Sequence, residues 1–350
     1  EMGLETHCFA WDKDAICKFH AHFFYPISIL EKEQILEKCK EIGVDGILTI
    51  ASDVASLTVN YVAEKLDLIG NGYKSAQLAT NKHKMRTTFA ENNLKSPRYR
   101  LIKKGQVLDN SKLIYPLIVK PTDRSGSLGV IKVNEESQLN EAIKQAQTES
   151  FAQEAIVEQF IEGKEVSVES ISWEGKHYIL AITDKEITKP PYFVELAHHQ
   201  PSLLKKDVQI KIKEETIKAL NAVNLKYGAG HTEFLITKDD EIFIVEVGAR
   251  MGGDFIGSDL VYLSTGYDFL KAVVNIAMGS FETPKLVWEK YSGIYFLSKE
   301  TDYLLKYFEE ETIPEIIKKE LLSNELKSIH SSSERSGYII YQSDKREQYD

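Results

Sequence analysis

The sequence predicts a mixed fold, in which a partial doubly wound α/β segment precedes an α+β region and a small mixed segment closes the chain. Two observations predict it. Strand-like and helix-like stretches alternate up to residue 92, as in doubly wound sheets, whereas short strands separated by polar turns dominate after Pro97. The 350 residues leave ample length for domains at residues 1–74, 75–280 and 281–350.

The first segment has the alternating strands and helices that are typical of an α/β domain. Gly43 is placed to end a helix, and Ser52 and Asp53 follow a short apolar run. We expect this domain to lack its first strand and glycine loop. The predicted elements are a helix end at residues 1–3, strands at 4–10 and 45–51, and helices at 31–42, 54–66 and 75–92.

The middle region is predicted as α+β with hairpins, because apolar and β-branched runs alternate there with polar turns. Its predicted helices cover residues 138–147 and 267–278. Its predicted strands cover residues 115–120, 130–133, 155–160, 165–173, 178–183, 232–237 and 242–247.

Composition excludes several classes of function. The formal net charge is −10 and no Lys/Arg-rich run occurs, so we expect no nucleic-acid partner, since binding to the phosphate backbone needs a basic surface. The apolar runs are too short to span a membrane, and no signal-peptide pattern opens the sequence. Three cysteines without metal-ligand spacing indicate reduced thiols, and a cytoplasmic location is the expectation.

Two glutamates occupy corresponding places in one predicted hairpin. If the turn is centred on Asp239 and Asp240, paired positions sum to 479, and Glu233 faces Glu246. Facing carboxylates repel, so a cation is expected between them, and Mg²⁺ takes one or two carboxylates together with phosphate oxygens. Two other interpretations stay open: one glutamate points to solvent, or an odd loop length shifts the register and separates the pair.

Two further segments carry residues that could bind a nucleotide. In YPLIVKPTDRSGSLGV (115–130), Lys120 ends an apolar strand before a loop of small residues whose free N–H groups could bind phosphate; the loop alone equally fits an ordinary hairpin turn. In IVEQFIEGKEVSVE (156–169), a strand end could pair with an adenine edge and Glu165 could accept from ribose hydroxyls. Glu162, Lys164 and Glu169 fit a solvated face.

The order of these segments resembles the ATP-grasp superfamily. A lysine near a helix start (NKHKMR, 81–86) precedes the strand-end lysine and its glycine loop, then Glu-x₆-Glu, then paired glutamates and an arginine. The resemblance spans residues 75–279. The segments PYFVELAHHQPS (191–202) and ARMGG (249–253) are most similar to the carboxylate–amine ligases that include bacterial L-amino-acid ligases, and SGYIIY (336–341) is similar to the start of their last strand.

The resemblance implies an ATP-grasp fold and an ATP site. Lys82 and Lys120 would contact the phosphates and the N7 side of adenine, and residues 125–129 would close over the triphosphate. The remaining nucleotide contacts that it implies come from the loop residues Ser125, Gly126 and Ser127, the adenine-slot residues Glu158, Gln159 and Ile161, and Glu165 at the ribose.

The resemblance also implies a metal site and a reaction centre. Glu233 and Glu246 would hold Mg²⁺, or Mn²⁺ in its place, and Arg250 would bind the transferring phosphoryl group or the carboxylate substrate. Glu195, His198 and His199 would sit near the acceptor amine, with Glu195 or His198 as the proton acceptor. Lys120 would add positive charge during phosphoryl transfer.

One position departs from the family pattern. Many members place an asparagine two residues after the second glutamate as a further metal ligand, and this sequence has Gly248. Either water and phosphate complete a second metal site, or metal occupancy is weaker.

The function implied is ATP-dependent amide or peptide bond formation between a small carboxylate, for example an amino acid, and an amine, through an acyl phosphate. Homodimers are common in the family, and the sequence leaves the oligomeric state open. Three alternatives remain: a bicarbonate-using enzyme of the carbamoyl phosphate synthase or biotin carboxylase type, a glycinamide-ribonucleotide-type ligase, and a non-catalytic ATP-binding regulator, to which Gly248 points.

Overall fold

The computed structural model describes residues 2–106, 108, 113–188, 190, 192–310 and 312–349. Within this part of the chain, no helix is both long and apolar enough to cross a membrane. The elements in chain order are β1 (His7–Phe9), β2 (Phe23–Tyr25), α1 (Lys32–Ile42), α2 (Asp53–Leu66), α3 (Tyr73–Leu78), α4 (Lys82–Glu91), β3 (Tyr99–Lys103), β4 (Leu117–Pro121), β5 (Ile131–Val133), α5 (Glu136–Glu149), β6 (Glu154–Gln159), β7 (Lys164–Trp173), β8 (Lys176–Ile187), β9 (Glu195–Gln200), α6 (Lys206–Ala222), β10 (Gly228–Ile236), β11 (Ile242–Gly248), α7 (Val261–Thr265), α8 (Phe269–Ala277), β12 (Tyr291–Leu297), α9 (Leu305–Glu309), β13 (Ile316–Leu321) and β14 (Gly337–Ser343).

The N-terminal segment contains the short parallel pair β1 and β2 and the helices α1 and α2. Gly43 ends α1 with a φ of 73°, a left-handed conformation that glycine adopts without steric cost. The Ser52 hydroxyl accepts the N–H of Ala55 at 3.2 Å and so caps the start of α2.

Two predictions for this segment are wrong. Residues 45–51 form no ladder with any described strand; instead the Ile50 carbonyl accepts the N–H of Met251 at 2.9 Å. The single helix predicted over residues 75–92 is two helices, because Asn81 is extended and its side chain accepts the N–H of Lys84 at 3.0 Å, which starts α4 anew.

A four-stranded antiparallel sheet follows, in the order β3-β6-β4-β5. Helix α5 packs Leu139 and Ile143 against Val119 and Val157 of this sheet. The predicted strands at 115–120, 130–133 and 155–160 and the predicted helix at 138–147 are confirmed to within a few residues, whereas β3 was not predicted.

An eight-stranded antiparallel sheet forms the largest layer, in the order β11-β10-β7-β8-β9-β12-β14-β13. Helices α4 and α6 cover one part of it, where Phe89 and Ile212 pack against Val168 and Phe234. Strands β12, β14 and β13 come from residues 281–350 and continue this sheet beside β9. The sequence analysis did not predict β9, α6, β12 or β13, whereas β14 falls on the segment that the family resemblance placed at the start of the last strand. The boundaries at residues 74 and 280 stay a prediction.

The β10–β11 hairpin pairs Glu233 with Glu246, as predicted, although its turn differs from the prediction. Next to the turn, Ile236 pairs with Ile242, so the loop has an odd length that alone would separate the two glutamates. A β-bulge between Glu233 and Phe234 in the pairing register accommodates one extra residue on β11. The bulge therefore restores the facing pair.

Candidate active site

Helix α4 begins at the centre of the candidate site. The Lys82 ammonium donates to Glu246 Oε1 at 3.0 Å and to the Arg124 carbonyl at 2.7 Å, and the Lys82 N–H donates to the Thr122 carbonyl at 2.8 Å. Lys82 is buried at the sheet edge, so one cation links the start of a helix, the loop after β4 and the second hairpin glutamate.

Behind the expected adenine slot lies a buried ion cluster. Glu158 contacts Lys120 Nζ at 2.8 Å and Arg86 Nε at 2.7 Å. Burial would raise the pKa of Glu158, but Arg86 and Lys120 outweigh it and lower that pKa, whereas burial lowers the pKa of Lys120. Sequence reasoning missed Arg86, whose only signal was its position one turn after Lys82 on α4.

The other two residues expected at the adenine lie at the end of β6 and just after it. Gln159 ends β6, and its side chain accepts from Arg98 Nε at 3.2 Å. Ile161 is buried just after that strand.

A lysine that the sequence analysis missed gathers three of the predicted site glutamates. Lys185 Nζ lies 2.5 Å from Glu165, 2.8 Å from Glu233 and 3.5 Å from Glu195, and its side chain is 3% exposed. Burial would lower the pKa of Lys185, but the three carboxylates raise it well above its usual value. The signal was a longer strand: β8 runs to Ile187, beyond its predicted end at residue 183.

The same cluster shifts the pKa values of two of its acids in opposite directions. The pKa of Glu233 lies well below its usual value, because Lys185 and His231 outweigh burial. The pKa of Glu165 is raised by burial and by the neighbouring carboxylates of Glu233 and Glu195, despite the attraction of Lys185. The residues predicted for ribose, metal and amine are therefore neighbours.

Glu169 is buried completely, so its prediction as a solvated residue is wrong. It makes a short hydrogen bond with His231 Nδ1 and accepts the N–H of Gly252 at 2.8 Å, while His231 Nε2 lies 3.3 Å from Glu233. Burial would lower the pKa of His231, but Glu169 and Glu233 raise it to about 9. The backbone of the glycine pair after Arg250 is thus tied to β7.

Arg250 is held by Asp53, the first residue of α2. Its Nε and Nη2 donate to the two carboxylate oxygens at 2.8 and 2.9 Å, and its Nη1 donates to the Met251 carbonyl at 3.1 Å. Burial would raise the pKa of Asp53, but Arg250 lowers it. The sequence placed Asp53 at the end of a predicted strand without giving it a role.

The two adjacent histidines point in different directions, as neighbours on a strand must. His199 contacts Tyr341 at 3.0 Å and Glu186 at 3.1 Å, on the face of β9 away from the glutamate cluster, so its expected place near the acceptor amine is wrong. His198 lies 3.5 Å from Asp254, and burial lowers its pKa.

Arg335, from the segment before β14, contacts Glu195, one of the residues expected near the acceptor amine. It donates to Glu195 Oε2 at 3.1 Å and to Asp254 Oδ2 at 2.8 Å, and its guanidinium lies 3.7 Å from the centre of the Phe296 ring. Sequence reasoning missed Arg335 and Asp254, because their partners lie some 80 to 140 residues away along the chain.

The loop after β4 borders a cavity of 380 Å³ that Ser125 lines together with Asp53, Lys84 and Glu246. Gly126 has a φ of 63°, which favours glycine, and Ser127 donates to the Phe193 carbonyl at 3.2 Å. The loop that was expected to close over the triphosphate therefore contacts the segment that leads into β9.

The donor set fits Mg²⁺ shared with phosphate groups. Among the described residues, no group of three or more His, Cys, Asp or Glu side chains is arranged to hold a metal. Glu233 and Glu246 supply two facing carboxylates, and Mg²⁺ usually takes one or two carboxylates and completes its shell with phosphate and water. Lys185 and Lys82 balance these two charges in the structure.

Comparison with known proteins agrees with this fold. Residues 113–259 match the family model of the ATP-grasp domain. The chain is 30% identical over 280 residues to an alanine–anticapsin ligase of Bacillus subtilis; the match covers 69% of the chain and 58% of that relative. The chain thus spans less than two thirds of the relative's length.

Two solved structures show the same architecture. An L-amino acid ligase from Bacillus licheniformis superposes with a TM-score of 0.84 at 24% identity, covering 98% of this chain and 88% of the other. The biotin carboxylase domain of Hydrogenobacter thermophilus 2-oxoglutarate carboxylase, solved with MgADP, gives a TM-score of 0.74 at 18% identity, covering 98% and 82%. At these identities the likeness shows the fold.

The match to the family model defines the class: residues 113–259 form a domain of the ATP-grasp superfamily. Within that superfamily the chain matches the carboxylate–amine ligase branch, to which the relatives named as amino-acid ligases belong. The fold class and the family resemblance drawn from the sequence are thereby confirmed.

Proposed function

We propose that the chain works as an ATP-dependent carboxylate–amine ligase that forms an amide or peptide bond through an acyl phosphate. The observation that carries this proposal is the facing pair of Glu233 and Glu246, with Lys82 on one of them and Arg250 four residues further along the chain. The Bacillus subtilis relative is named as a ligase of alanine, which supports an amino acid as one substrate.

The reaction has two steps. An oxygen of the substrate carboxylate attacks the γ-phosphorus of ATP, the bond from that phosphorus to the β–γ bridging oxygen breaks, and ADP leaves with the electron pair. The amine nitrogen then attacks the acyl carbon of the acyl phosphate, the C–O bond to phosphate breaks, and the nitrogen gives up a proton. The products are the amide, ADP and phosphate.

The chain's own cations would stabilise the first step. Lys82 and Arg250 are fixed by Glu246 and Asp53, so both can meet developing phosphoryl charge without rearranging. Mg²⁺, held by Glu233 and Glu246, would supply further positive charge to the phosphate oxygens. Lys185, released from Glu233 by the metal, would remain paired with Glu165 and Glu195.

The amine step needs a proton acceptor, and two candidates remain. Glu195 lies 3.5 Å from Lys185 Nζ and 3.1 Å from Arg335 Nη2, at the expected amine end. Burial lowers the pKa of His198 below its ordinary value of 6.5, so its imidazole is neutral and able to accept a proton at neutral pH. Closure of the loop around Ser127 would exclude water, which otherwise hydrolyses the acyl phosphate.

Other properties follow from composition and stay part of the proposal. The acidic charge and sparse cysteines support a cytoplasmic enzyme with small-molecule partners and no nucleic acid or membrane partner. Nucleotide contacts by Lys120, Glu158, Gln159, Ile161 and Glu165 are proposed on the family resemblance. A homodimer is proposed on the same basis, and Mn²⁺ is the expected substitute for Mg²⁺.

The test is release of ADP and phosphate from MgATP with pooled amino acids, each then left out in turn, with mass spectrometry of the products. We expect substrate-dependent ADP release and a product lighter by one water than its two parents. The Glu246→Gln variant serves as the inactive control.

Two results would point elsewhere. ADP release that depends on bicarbonate and on no amino acid would indicate an enzyme of the biotin carboxylase type, whose fold the chain shares. ATP binding without turnover in every pool would favour a non-catalytic ATP-binding regulator.

A further inference from the structure

The Arg250 guanidinium is not free to move, although the proposed function gives it the transferring phosphoryl group or the carboxylate substrate. Asp53 accepts from Nε and Nη2 in a two-point fork, and Met251 accepts from Nη1. An arginine has five N–H groups, so one on Nη1 and one on Nη2 remain for an anion. The fork therefore fixes the side chain and leaves its outer edge available.

Further contacts tie the same two segments together. The Met251 N–H donates to the Ile50 carbonyl at 2.9 Å, and the Ser56 hydroxyl donates to the Ala249 carbonyl at 3.4 Å. The residues on either side of Arg250 are thus held by the residues on either side of Asp53. The ion pair and these two hydrogen bonds together join the N-terminal segment to the residues that follow β11.

Gly248 leaves the space that the fork fills. A Cβ at this position would lie 3.0 Å from Arg250 Nε, 3.2 Å from its Cζ and 3.2 Å from Asp53 Oδ1. A side chain at residue 248 would therefore crowd the ion pair, and Arg250 and Asp53 would have to shift by a few tenths of an ångström to admit it. The glycine that departs from the family pattern relieves this close approach.

We propose that Asp53 is the positioning residue for Arg250, and that the absence of a side chain at Gly248 leaves the space that this pair occupies. The inference rests on the proposed function, because it concerns the group that Arg250 meets. A buried fork of this kind sets both the place and the plane of the guanidinium. Asp53 acts on the reaction through Arg250 and does not itself contact the reacting atoms.

The alternative is that Asp53 serves only the start of α2, where an acidic residue favours the helix dipole. Ser52 provides the control, because its hydroxyl caps the same helix and does not touch Arg250. The test therefore compares Asp53→Asn with Ser52→Ala, and adds Gly248→Ala, Arg250→Lys and the Asp53→Asn/Arg250→Lys double variant. A lysine at residue 250 cannot form the fork.

The readouts are kcat, the KM of ATP and the unfolding temperature. We expect Asp53→Asn and Gly248→Ala to lower kcat on the order of 100-fold, the cost typical of a misplaced catalytic group, with the KM of ATP within about threefold. Ser52→Ala should lower the unfolding temperature and keep kcat. The double variant should be no slower than Arg250→Lys alone, because both substitutions remove the same positioned guanidinium and their effects do not add.

A binding measurement separates this inference from the proposed function. Aluminium fluoride mimics the phosphoryl group in the transition state of its transfer. Calorimetry with MgADP and aluminium fluoride therefore reports the placement of Arg250 whether or not a substrate acid is known. Weaker binding by Asp53→Asn with unchanged MgADP affinity supports the inference even if every amino-acid pool gives no turnover. Normal kcat and normal binding in Asp53→Asn, or equal losses in Ser52→Ala, would overturn it.

Discussion

Glu246 accepts from Lys82 on one side and faces Glu233 on the other. In the proposed site, its carboxylate serves both Lys82 and the metal. We expect Glu246→Gln to lower ATP turnover by at least about 100-fold, because the amide supplies neither the charge for the metal nor the anion for the lysine. Circular dichroism should show an unchanged fold.

Glu241 gives a matched control, since it lies in the turn of the same hairpin and its pair with Lys95 is exposed. Glu241→Gln should keep turnover within about twofold. Wild-type turnover and metal dependence in Glu246→Gln would remove this residue from the metal site.

His198 gives a pH dependence whose sign follows from its burial. Its side chain is 1% exposed, and burial lowers its pKa despite the attraction of Asp254. The unfolded state therefore binds more protons than the folded state below pH 6.5, so the stabilising contribution is present above pH 6.5 and is lost as pH falls through the folded pKa.

We expect the free energy of unfolding to fall as pH drops from 7.5 to 5, by up to about 1.4 kcal/mol per pH unit from this one group. Urea unfolding of His198→Gln should show a shallower fall, and His22→Gln, at an exposed histidine, should match the wild type. Identical slopes for wild type and His198→Gln would mean that His198 is not held neutral.

At the scale of elements, the β10–β11 hairpin shows what patterning can and cannot predict. The polar turn between two apolar runs, taken as a loop of even length, predicted Glu233 opposite Glu246, and the two residues do pair. The loop between Ile236 and Ile242 has an odd length, and the bulge that restores the pairing has no signal in the sequence, because an extra strand residue is decided by packing on both faces. The pairing was correct although the assumed geometry was not.

Strand β8 joins the elements whose acids form the site. Its Lys185 reaches Glu165 on β7, Glu195 on β9 and Glu233 on β10. We expect Lys185→Met to destabilise the metal-free protein by about 3 to 5 kcal/mol, since removing the cation leaves buried carboxylates uncompensated.

Lys205→Met is the matched control for Lys185→Met. Its pair with Asp240 is at the surface, so the change should cost far less stability than Lys185→Met. Urea unfolding in EDTA measures both variants. Equal small losses in the two would show that water reaches the Lys185 cluster.

At the scale of the molecule, the sequence predicted the residues that follow one another in order, and missed those that meet only in the fold. Lys82, Lys120, Glu233, Glu246 and Arg250 were predicted as site residues from the order of their segments, and their roles stay a prediction. The missed partners Asp53, Asp254 and Arg335 had no local signal, and Arg86 had only its position one turn after Lys82, since each of them pairs with a side chain far away along the chain.

The proposed nucleotide site draws on parts of the fold that do not share a sheet: Lys120 and Glu158 on the four-stranded sheet, Glu233 and Glu246 on the eight-stranded sheet, and Lys82 on α4. A ligand bridging them stabilises the folded state by RT ln(1 + [L]/Kd), about 2.7 kcal/mol at 100 times Kd. We expect a non-hydrolysable ATP analogue with Mg²⁺ to raise the unfolding temperature by several degrees. EDTA, or the Glu246→Gln change, should remove the metal-dependent part and leave the part due to the nucleotide alone. If the rise in wild type is the same with Mg²⁺ and with EDTA, the facing glutamates do not hold the metal that accompanies the nucleotide.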